Sequence, residues 1–215
     1  VYHMSGLSKT YPGGKQVLKD IHLSFYPGAK IGVVGLNGAG KSTLLKIAAG
    51  IVQHDHGERF VQPGGKIAYL PQDPDLSGFE TVLDYAAADV DVDEMYKAQI
   101  ALDGLRLDGS VSTASASGGE KRRAALARMM ASEPDLMLLD EPTEGLQPSM
   151  IALIRDAVRA MRAADVAVIL VEQRADAVRD IADHVAFIEH GRTARVATVA
   201  DLDAEPDLLH RYVGV

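Results

Sequence analysis

The chain has 215 residues, 47% of which are hydrophobic, and a formal net charge of −8. This composition allows a substantial core and argues against a generally basic surface of the kind that binds nucleic acid. The chain has no cysteine, which excludes disulfides and agrees with a cytoplasmic location, and no apolar run approaches the roughly 18–20 residues needed to insert into a membrane.

Short strands come first, and they are predicted at Tyr2–Leu7, Ile21–Phe25 and Lys30–Val34. A glycine-rich turn then leads into a predicted helix at Lys41–Ala49. Two further short strands, near 59–61 and 66–70, flank a Pro-Gly-Gly turn. Residues 81–108 are rich in alanine and aspartate and are predicted to be helical.

From Ser117 the pattern changes to an alternation of helices and strands. Helices are predicted at 117–131, 149–163 and 174–182, and strands at 136–140, 166–171 and 184–189. Such alternation predicts a parallel sheet covered by helices, and hence an α/β fold. A hairpin around His190-Gly191 and a terminal helix complete a single predicted domain over 1–215.

A glycine-rich motif lies between the third strand and the first helix. Residues 35–42 read GLNGAGKS and fit the pattern G-x-x-x-x-G-K-[ST]. Its backbone N–H groups and the helix dipole would face phosphate oxygens, Lys41 would reach the β- and γ-phosphates, and the Ser42 hydroxyl would bind Mg²⁺. An ordinary glycine-rich turn is the alternative. The residues expected to bind a nucleotide here are Gly35, Asn37, Gly38, Ala39, Gly40, Lys41, Ser42 and Thr43.

Two carboxylates, Asp140 and Glu141, end the apolar run LMLL. Beside a phosphate loop, Asp140 would hold Mg²⁺ through its water shell. Glu141 would orient or deprotonate the water that attacks a γ-phosphate. A solvated strand end is the alternative reading of the pair, but the phosphate loop upstream favours a hydrolytic site.

The residues Ser117-Gly118-Gly119-Glu120, followed by the helix KRRAALARMM, resemble the signature motif of ATP-binding cassette (ABC) ATPases. Three other motifs stand in the order that is usual for that family: the phosphate loop, Gln72 in YLPQ, and LMLLDE. The resemblance therefore covers essentially the whole chain. It implies a P-loop NTPase fold with a mainly parallel core, an antiparallel β-subdomain and a shortened helical subdomain. Segments 1–80 and 118–215 would form the first two parts, and about 81–117 the third.

The resemblance also assigns roles outside the phosphate loop. Tyr11 matches the aromatic residue that stacks on adenine, and Gln72 matches the glutamine that contacts Mg²⁺. Ser117, with the amides of Gly118 and Gly119, would bind the γ-phosphate of ATP held by a second copy. Two cassettes are therefore expected to face each other head to tail, and an isolated copy is expected to be a poor catalyst.

Two positions depart from the family pattern. Gln173 stands where a histidine usually contacts the γ-phosphate, and it can donate an amide hydrogen bond but carries no charge. Gln147 replaces an aspartate in the loop after Glu141 and is interpreted as an interface residue. The predicted catalytic residues are thus Glu141, Gln173 and Lys41. The predicted metal ligands are Ser42, Gln72 and Asp140.

The chain resembles two branches of the family. DEPTEGLQPS and VILVEQ are similar to ATPase subunits of branched-chain amino acid and urea importers. The front part is similar to ABC-F proteins, which act on ribosomes, in the segments LSFYPGAKIGVVGLNGAGKSTLLKIAAGI and SASGGEKRRAALAR. The change lies close to Thr143-Glu144, which leads to the hypothesis of an engineered chimera or a natural mosaic.

We therefore predict a cassette that hydrolyses Mg·ATP as a head-to-tail dimer. One alternative is a chimeric module that binds ATP but is catalytically weak, and another is a ribosome-associated ABC-F fragment. A transmembrane partner would hold the chain at the periphery of the inner membrane, but the segment before Ser117 is shorter than importer subunits use for that docking. The acidic charge and the missing helical linker count against the ribosome-associated alternative.

Overall fold

The computed structural model describes residues 2–161, 164–173, 178–205 and 207–213. The strands are β1 (Tyr2–Tyr11), β2 (Lys15–Phe25), β3 (Lys30–Val34), β4 (His56–Val61), β5 (Ile67–Leu70), β6 (Leu136–Asp140), β7 (Ala167–Glu172), β8 (His184–Glu189) and β9 (Arg192–Thr198). The helices are α1 (Lys41–Ala49), α2 (Val82–Ala86), α3 (Met95–Gly104), α4 (Gly118–Ala131), α5 (Pro148–Ala160), α6 (Val199–Ala204) and α7 (Asp207–Val213).

A mainly parallel sheet with the strand order β5-β6-β7-β3-β8-β9 forms the centre of the molecule. All neighbouring strands are parallel except β8 and β9, which pair antiparallel. Every residue of β3, β6 and β7 is buried, as expected for strands covered on both faces. The carboxyl ends of these three neighbouring strands meet at one edge, which is where ligands bind in such sheets.

A smaller antiparallel sheet has the order β2-β1-β4. Its strands extend further than the sequence predicts, because the ends of β1 and β2 nearest their connecting turn are polar and largely exposed and show no clear alternation of apolar residues. Tyr11 pairs with Lys15 beside that turn. The predicted parallel core and antiparallel β-subdomain are both present.

Two apolar clusters stabilise the fold, one on each face of the parallel sheet. One cluster packs α3, α4 and α5 against one face of this sheet. The other lies among the parallel sheet, the small sheet and α1, and it buries Leu44, Leu45 and Ile47 of α1. Helix α1, which directly follows the glycine-rich loop, is therefore anchored in the core.

The segment between β5 and α4 is helical only in part. It contains α2, with five residues, a 3₁₀ turn at Val92–Glu94 and α3, with ten residues. The aspartates in ADVDVD interrupt the helix that the alanines favour, since aspartate side chains compete for backbone hydrogen bonds. The boundaries 81–117 for a separate helical subdomain stay a prediction.

Two predicted helices reach beyond the described residues. The prediction at 149–163 corresponds to α5, but residues 162–163 lie outside the described part of the chain. The prediction at 174–182 includes residues 174–177, which also lie outside it. Among the helices that the structure describes, none combines the length and the apolar character needed to cross a membrane.

Candidate active site

A cleft of about 420 Å³ lies over the carboxyl ends of β3, β6 and β7. It brings together residues that are far apart in the sequence. Its lining residues are Lys15, Val17, Asn37, Gly38, Gly40, Lys41, Ser42, Thr43, Gln72, Glu141, Glu144 and Gln173. The sequence predicted most of these residues as a nucleotide site, and the fold places them around one cleft.

The phosphate loop depends on glycine where it enters α1. Gly40 has φ +103°, and a Cβ there would lie 2.9 Å from the Val17 carbonyl oxygen and 2.7 Å from a Leu18 methyl carbon. A side chain at this position would thus be strained and would collide with β2. Gly38, with φ +78°, faces open space. The loop can therefore turn tightly at Gly40 and stay open to a ligand at Gly38.

Lys41 begins α1, and its ammonium is buried within the loop. Its Nζ donates to the Gly35 carbonyl oxygen at 2.7 Å and to the Leu36 carbonyl oxygen at 3.2 Å. It also lies 4.0 Å from Glu141 Oε1. Burial lowers the pKa of this amine, and the negative charge of Glu141 opposes the shift. Lys41 also lines the cleft, where it would meet an anion that enters the loop.

Asp140 and Ser42 form the candidate metal site. The Ser42 hydroxyl donates to Asp140 Oδ1 at 3.0 Å, and the Tyr69 hydroxyl donates to Oδ2 at 3.3 Å. Burial raises the pKa of the Asp140 carboxyl, while the Ser42 hydrogen bond acts in the opposite direction. Two adjacent oxygen ligands suit Mg²⁺, which takes few protein ligands and fills its coordination shell with phosphates and water. No cluster of three or more His, Cys, Asp or Glu residues that could hold a metal occurs in the described ranges.

Gln72, the third predicted metal ligand, also lines the cleft but points to a different carboxylate. Its Nε2 donates to Glu144 Oε2 at 2.5 Å. The Arg122 guanidinium of α4 donates to the backbone carbonyls of both Gln72 and Glu144. Arg122 therefore connects the helix of the signature motif to two walls of the cleft.

Glu141 occupies a strained turn directly after β6. Its φ is +49°, a left-handed conformation that costs a non-glycine residue about 1–2 kcal/mol. Its backbone N–H donates to the Val171 carbonyl oxygen at 2.9 Å, and Gln173 Nε2 donates to its Oε2 at 2.7 Å. With Lys41 near Oε1, the carboxylate is held between an amide and an ammonium. This arrangement suits a general base aimed into the cleft.

Sequence reasoning assigned no role to two further carboxylates. Glu172 is 2% exposed and follows the apolar run VILV, as Asp140 follows LMLL. This position directly after an apolar run could have identified Glu172 from the sequence. Glu144 has no comparable signal, because its contact with Gln72 depends on how β5 and β6 pair.

The other predicted ligands do not line the cleft: Gly35, Ala39 and Asp140 are buried, and Tyr11, Ser117, Gly118 and Gly119 lie outside it. Tyr11 is 36% exposed, and its strand partner Lys15 lines the cleft. Ser117 caps α4: its hydroxyl accepts from the Glu120 backbone N–H, and the Glu120 carboxylate accepts from the Ser117 backbone N–H. Ser117 and Gly118 are exposed at this helix start, and Gly119 is half-buried. Their predicted roles, like that of exposed Gln147, stay predictions.

Residues 18–144 match the family model described as ABC transporter. The chain belongs to the ABC transporter family. The resemblance to ABC ATPases, the P-loop NTPase fold and the classification as an ATPase domain are therefore confirmed. The family match does not test a chimeric origin, which stays a hypothesis.

Curated relatives of this ABC cassette include ABC-F proteins, in agreement with the resemblance seen in its front part. The energy-dependent translational throttle protein EttA of Haemophilus influenzae is 40% identical over 195 positions, which cover 71% of this chain and 35% of that protein. The ATP-binding protein Uup of Caulobacter vibrioides is 44% identical over 185 positions, which cover 86% and 29%. The chain thus spans about a third of the length of these relatives.

Solved ABC cassettes share the fold. The dimeric ATP-binding cassette MJ0796, bound to ADP and Pi, superimposes with a TM-score of 0.85 at 21% identity, covering 93% of this chain and 99% of that one. The subunit cbiO1 of Clostridium perfringens, part of the ABC transporter complex cbiONQ, gives a TM-score of 0.82 at 25% identity, covering 98% and 93%.

Replacing Gln173 by histidine should add a pH dependence that the parent lacks. The amide cannot ionise, whereas histidine titrates near pH 6.5. Below that pH, an imidazolium beside the γ-phosphate would add positive charge. The rate of the variant relative to the parent should therefore fall as pH rises through about 6.5. Rates at saturating ATP across pH test this, and superimposable profiles would contradict the placement of Gln173 at the γ-phosphate.

Proposed function

We propose that this cassette binds Mg·ATP and hydrolyses it at composite sites formed by two cassettes that face each other head to tail. The observation that carries the proposal is the position of Glu141. Its carboxylate lies 4.0 Å from the phosphate-loop ammonium of Lys41 and 2.7 Å from the Gln173 amide, beside the bonded pair of Ser42 and Asp140. The proposed base, the proposed phosphate-binding cation and Ser42 of the proposed metal-binding pair thus line one cleft.

Each group has a distinct role in the proposed reaction. The loop amides and Lys41 would bind the phosphates, and Ser42 and Asp140 would hold Mg²⁺. Gln72, whose amide nitrogen donates to Glu144, would offer its side-chain oxygen as a third metal contact. When bound, Mg²⁺ supplies charge neutralisation on the phosphate oxygens. Glu141 takes a proton from the water that attacks the γ-phosphorus, while the bond from that phosphorus to the bridging oxygen breaks and ADP leaves. Gln173, beside the γ-phosphate, holds the Glu141 carboxylate in place.

The second half of each site is proposed to come from the partner cassette. Ser117, Gly118 and Gly119 begin α4 and do not line the cleft of their own chain. A helix start with free N–H groups is a favourable place for a phosphate. Ser117 and Gly118 lie exposed there and can meet the γ-phosphate of ATP bound by another copy.

Mixing two inactive variants should restore turnover if the sites are composite. Lys41→Ala removes the phosphate-binding ammonium, and Gly118→Asp places a negative charge where the partner's phosphate would lie. A Cβ at Gly118 meets nothing within 4 Å, and aspartate suits a helix start, so this variant should fold. The mixed dimer contains one intact site, and its ATPase rate should exceed the sum of the separate variants.

The rate of the parent chain per molecule should also rise with protein concentration. Mixtures that remain as inactive as their components would contradict a composite site. Bound ATP without turnover at any concentration would instead support the alternative of a catalytically weak chimeric module.

A role in translation is the second candidate, favoured by the name of the translational throttle protein EttA, which is 40% identical to this chain over the matched positions. ATP hydrolysis by the cassette would then drive events on the ribosome. Co-sedimentation with ribosomes, with ATP and with ADP, tests this candidate. Absence of ribosome binding together with capture by a transmembrane subunit would favour an importer role at the inner membrane instead.

A further inference from the structure

Glu172 is a buried carboxylate without a role in the proposed mechanism. It is the last residue of β7, 2% exposed, and it lies in register with Val34, just before the phosphate loop. Among the described residues, the other buried carboxylates are Asp140 and Glu141, and both have proposed functions. A buried charge is costly unless hydrogen bonds compensate it, so its partners indicate its purpose.

The hydrogen bonds of Glu172 are directed at Thr143. Glu172 Oε1 accepts from the Thr143 backbone N–H at 3.0 Å and from the Thr143 hydroxyl at 2.6 Å. Thr143 is itself 3% exposed and lies two residues after Glu141. One carboxylate oxygen therefore fixes both the backbone and the side chain of Thr143, within the turn that Glu141 begins.

The end of β7 holds the Glu141 turn at three consecutive residues. The Val171 carbonyl accepts from the Glu141 N–H, Glu172 binds Thr143, and the Gln173 amide donates to the Glu141 carboxylate. The turn needs this support because Glu141 has φ +49°. If the contact with Thr143 were lost, the turn would keep its anchors at Glu141 and at Glu144, but Thr143 between them would lose the partner of its backbone N–H and of its hydroxyl.

We infer that Glu172 is a positioning residue for ATP hydrolysis, which holds Thr143 and thereby sets the place of the Glu141 carboxylate. The inference rests on the proposed function, because it assumes that Glu141 is the base. Burial raises the pKa of the Glu172 carboxyl, and its hydrogen bonds with Thr143 oppose that shift. Glutamine at this position would remove the buried charge and retain an acceptor oxygen for Thr143.

The test compares Glu172→Gln, Glu172→Ala, Thr143→Val and the Ala/Val double variant, with Glu189→Gln as a control at the exposed end of β8. We expect kcat to fall by about 10-fold or more in Glu172→Ala and Thr143→Val and by less in Glu172→Gln. The affinity for ATP and the KM should stay within about two-fold of the parent. Because both residues act through one contact, the double variant should be no slower than the slower single variant.

Hydrogen exchange of the Glu141 and Thr143 amides gives a readout that does not need turnover, and Pro142 between them has no N–H. Glu172→Ala should accelerate exchange of the Glu141 amide as well as that of Thr143, which loses its acceptor directly, and Glu189→Gln should accelerate neither. An unchanged kcat with unchanged exchange would overturn the inference, and so would a loss of kcat that only parallels a loss of ATP affinity. If the parent and Glu141→Gln turn over equally slowly, the proposed function fails, and exchange in the turn alone decides whether Glu172 positions it.

Discussion

Replacing Glu141 by glutamine should lower ATP turnover by on the order of 10²-fold or more while ATP still binds. Glutamine keeps the shape of the side chain and a hydrogen bond to its neighbours, but it cannot accept the proton of the attacking water. The phosphate loop is untouched, so a nucleotide-bound dimer should accumulate. Single-turnover rates and size-exclusion chromatography with Mg·ATP measure both effects.

Glu58→Gln is the matched control for this substitution, since Glu58 lies exposed on β4, in the smaller sheet. Its turnover should equal that of the parent. Full activity in Glu141→Gln would show that another group accepts the proton, and the buried carboxylates Asp140 and Glu172 would then be the candidates.

Replacing Lys41 by alanine should weaken ATP binding by on the order of 10–10²-fold. The phosphates would lose a direct, charge-assisted hydrogen-bond donor whose side chain is buried. The loop itself should remain folded, because α1 is anchored by Leu44, Leu45 and Ile47 in the core. Calorimetric titration with ATP and Mg²⁺ measures the loss.

Lys46→Ala provides the comparison within the same helix. Lys46 is exposed, so its removal should change ATP affinity by no more than about two-fold. If the two variants bound ATP equally well, the assignment of residues 35–42 as the phosphate-binding loop would be wrong.

The parallel core and the phosphate loop could be predicted because their signals are local. GLNGAGKS between an apolar strand and a helix specifies a turn, and LMLLDE specifies a buried strand that ends in charge. The order of the strands is not local information. The placement of β7 between β6 and β3 creates the contact of Glu172 with Thr143, and no periodicity in the sequence indicates it.

The polar parts of the fold were predicted less well for a related reason. The outer ends of β1 and β2 are defined by hydrogen bonds between strands, and their exposed side chains carry little pattern. The bond between Gln72 and Glu144 likewise joins two loops whose proximity depends on the pairing of β5 with β6. Such contacts follow from tertiary structure and are visible only in it.

The contact of Glu141 with Gln173 bridges the point near Thr143-Glu144 at which the mosaic hypothesis places a change from one branch of the family to another. Glu141, the proposed base, precedes this point in the sequence, and Glu172 and Gln173 follow it. Recombination at this point would therefore combine Glu141 from one branch of the family with Glu172 and Gln173 from the other. A crossover placed before Leu136 would instead transfer β6, the turn and the end of β7 as one matched block.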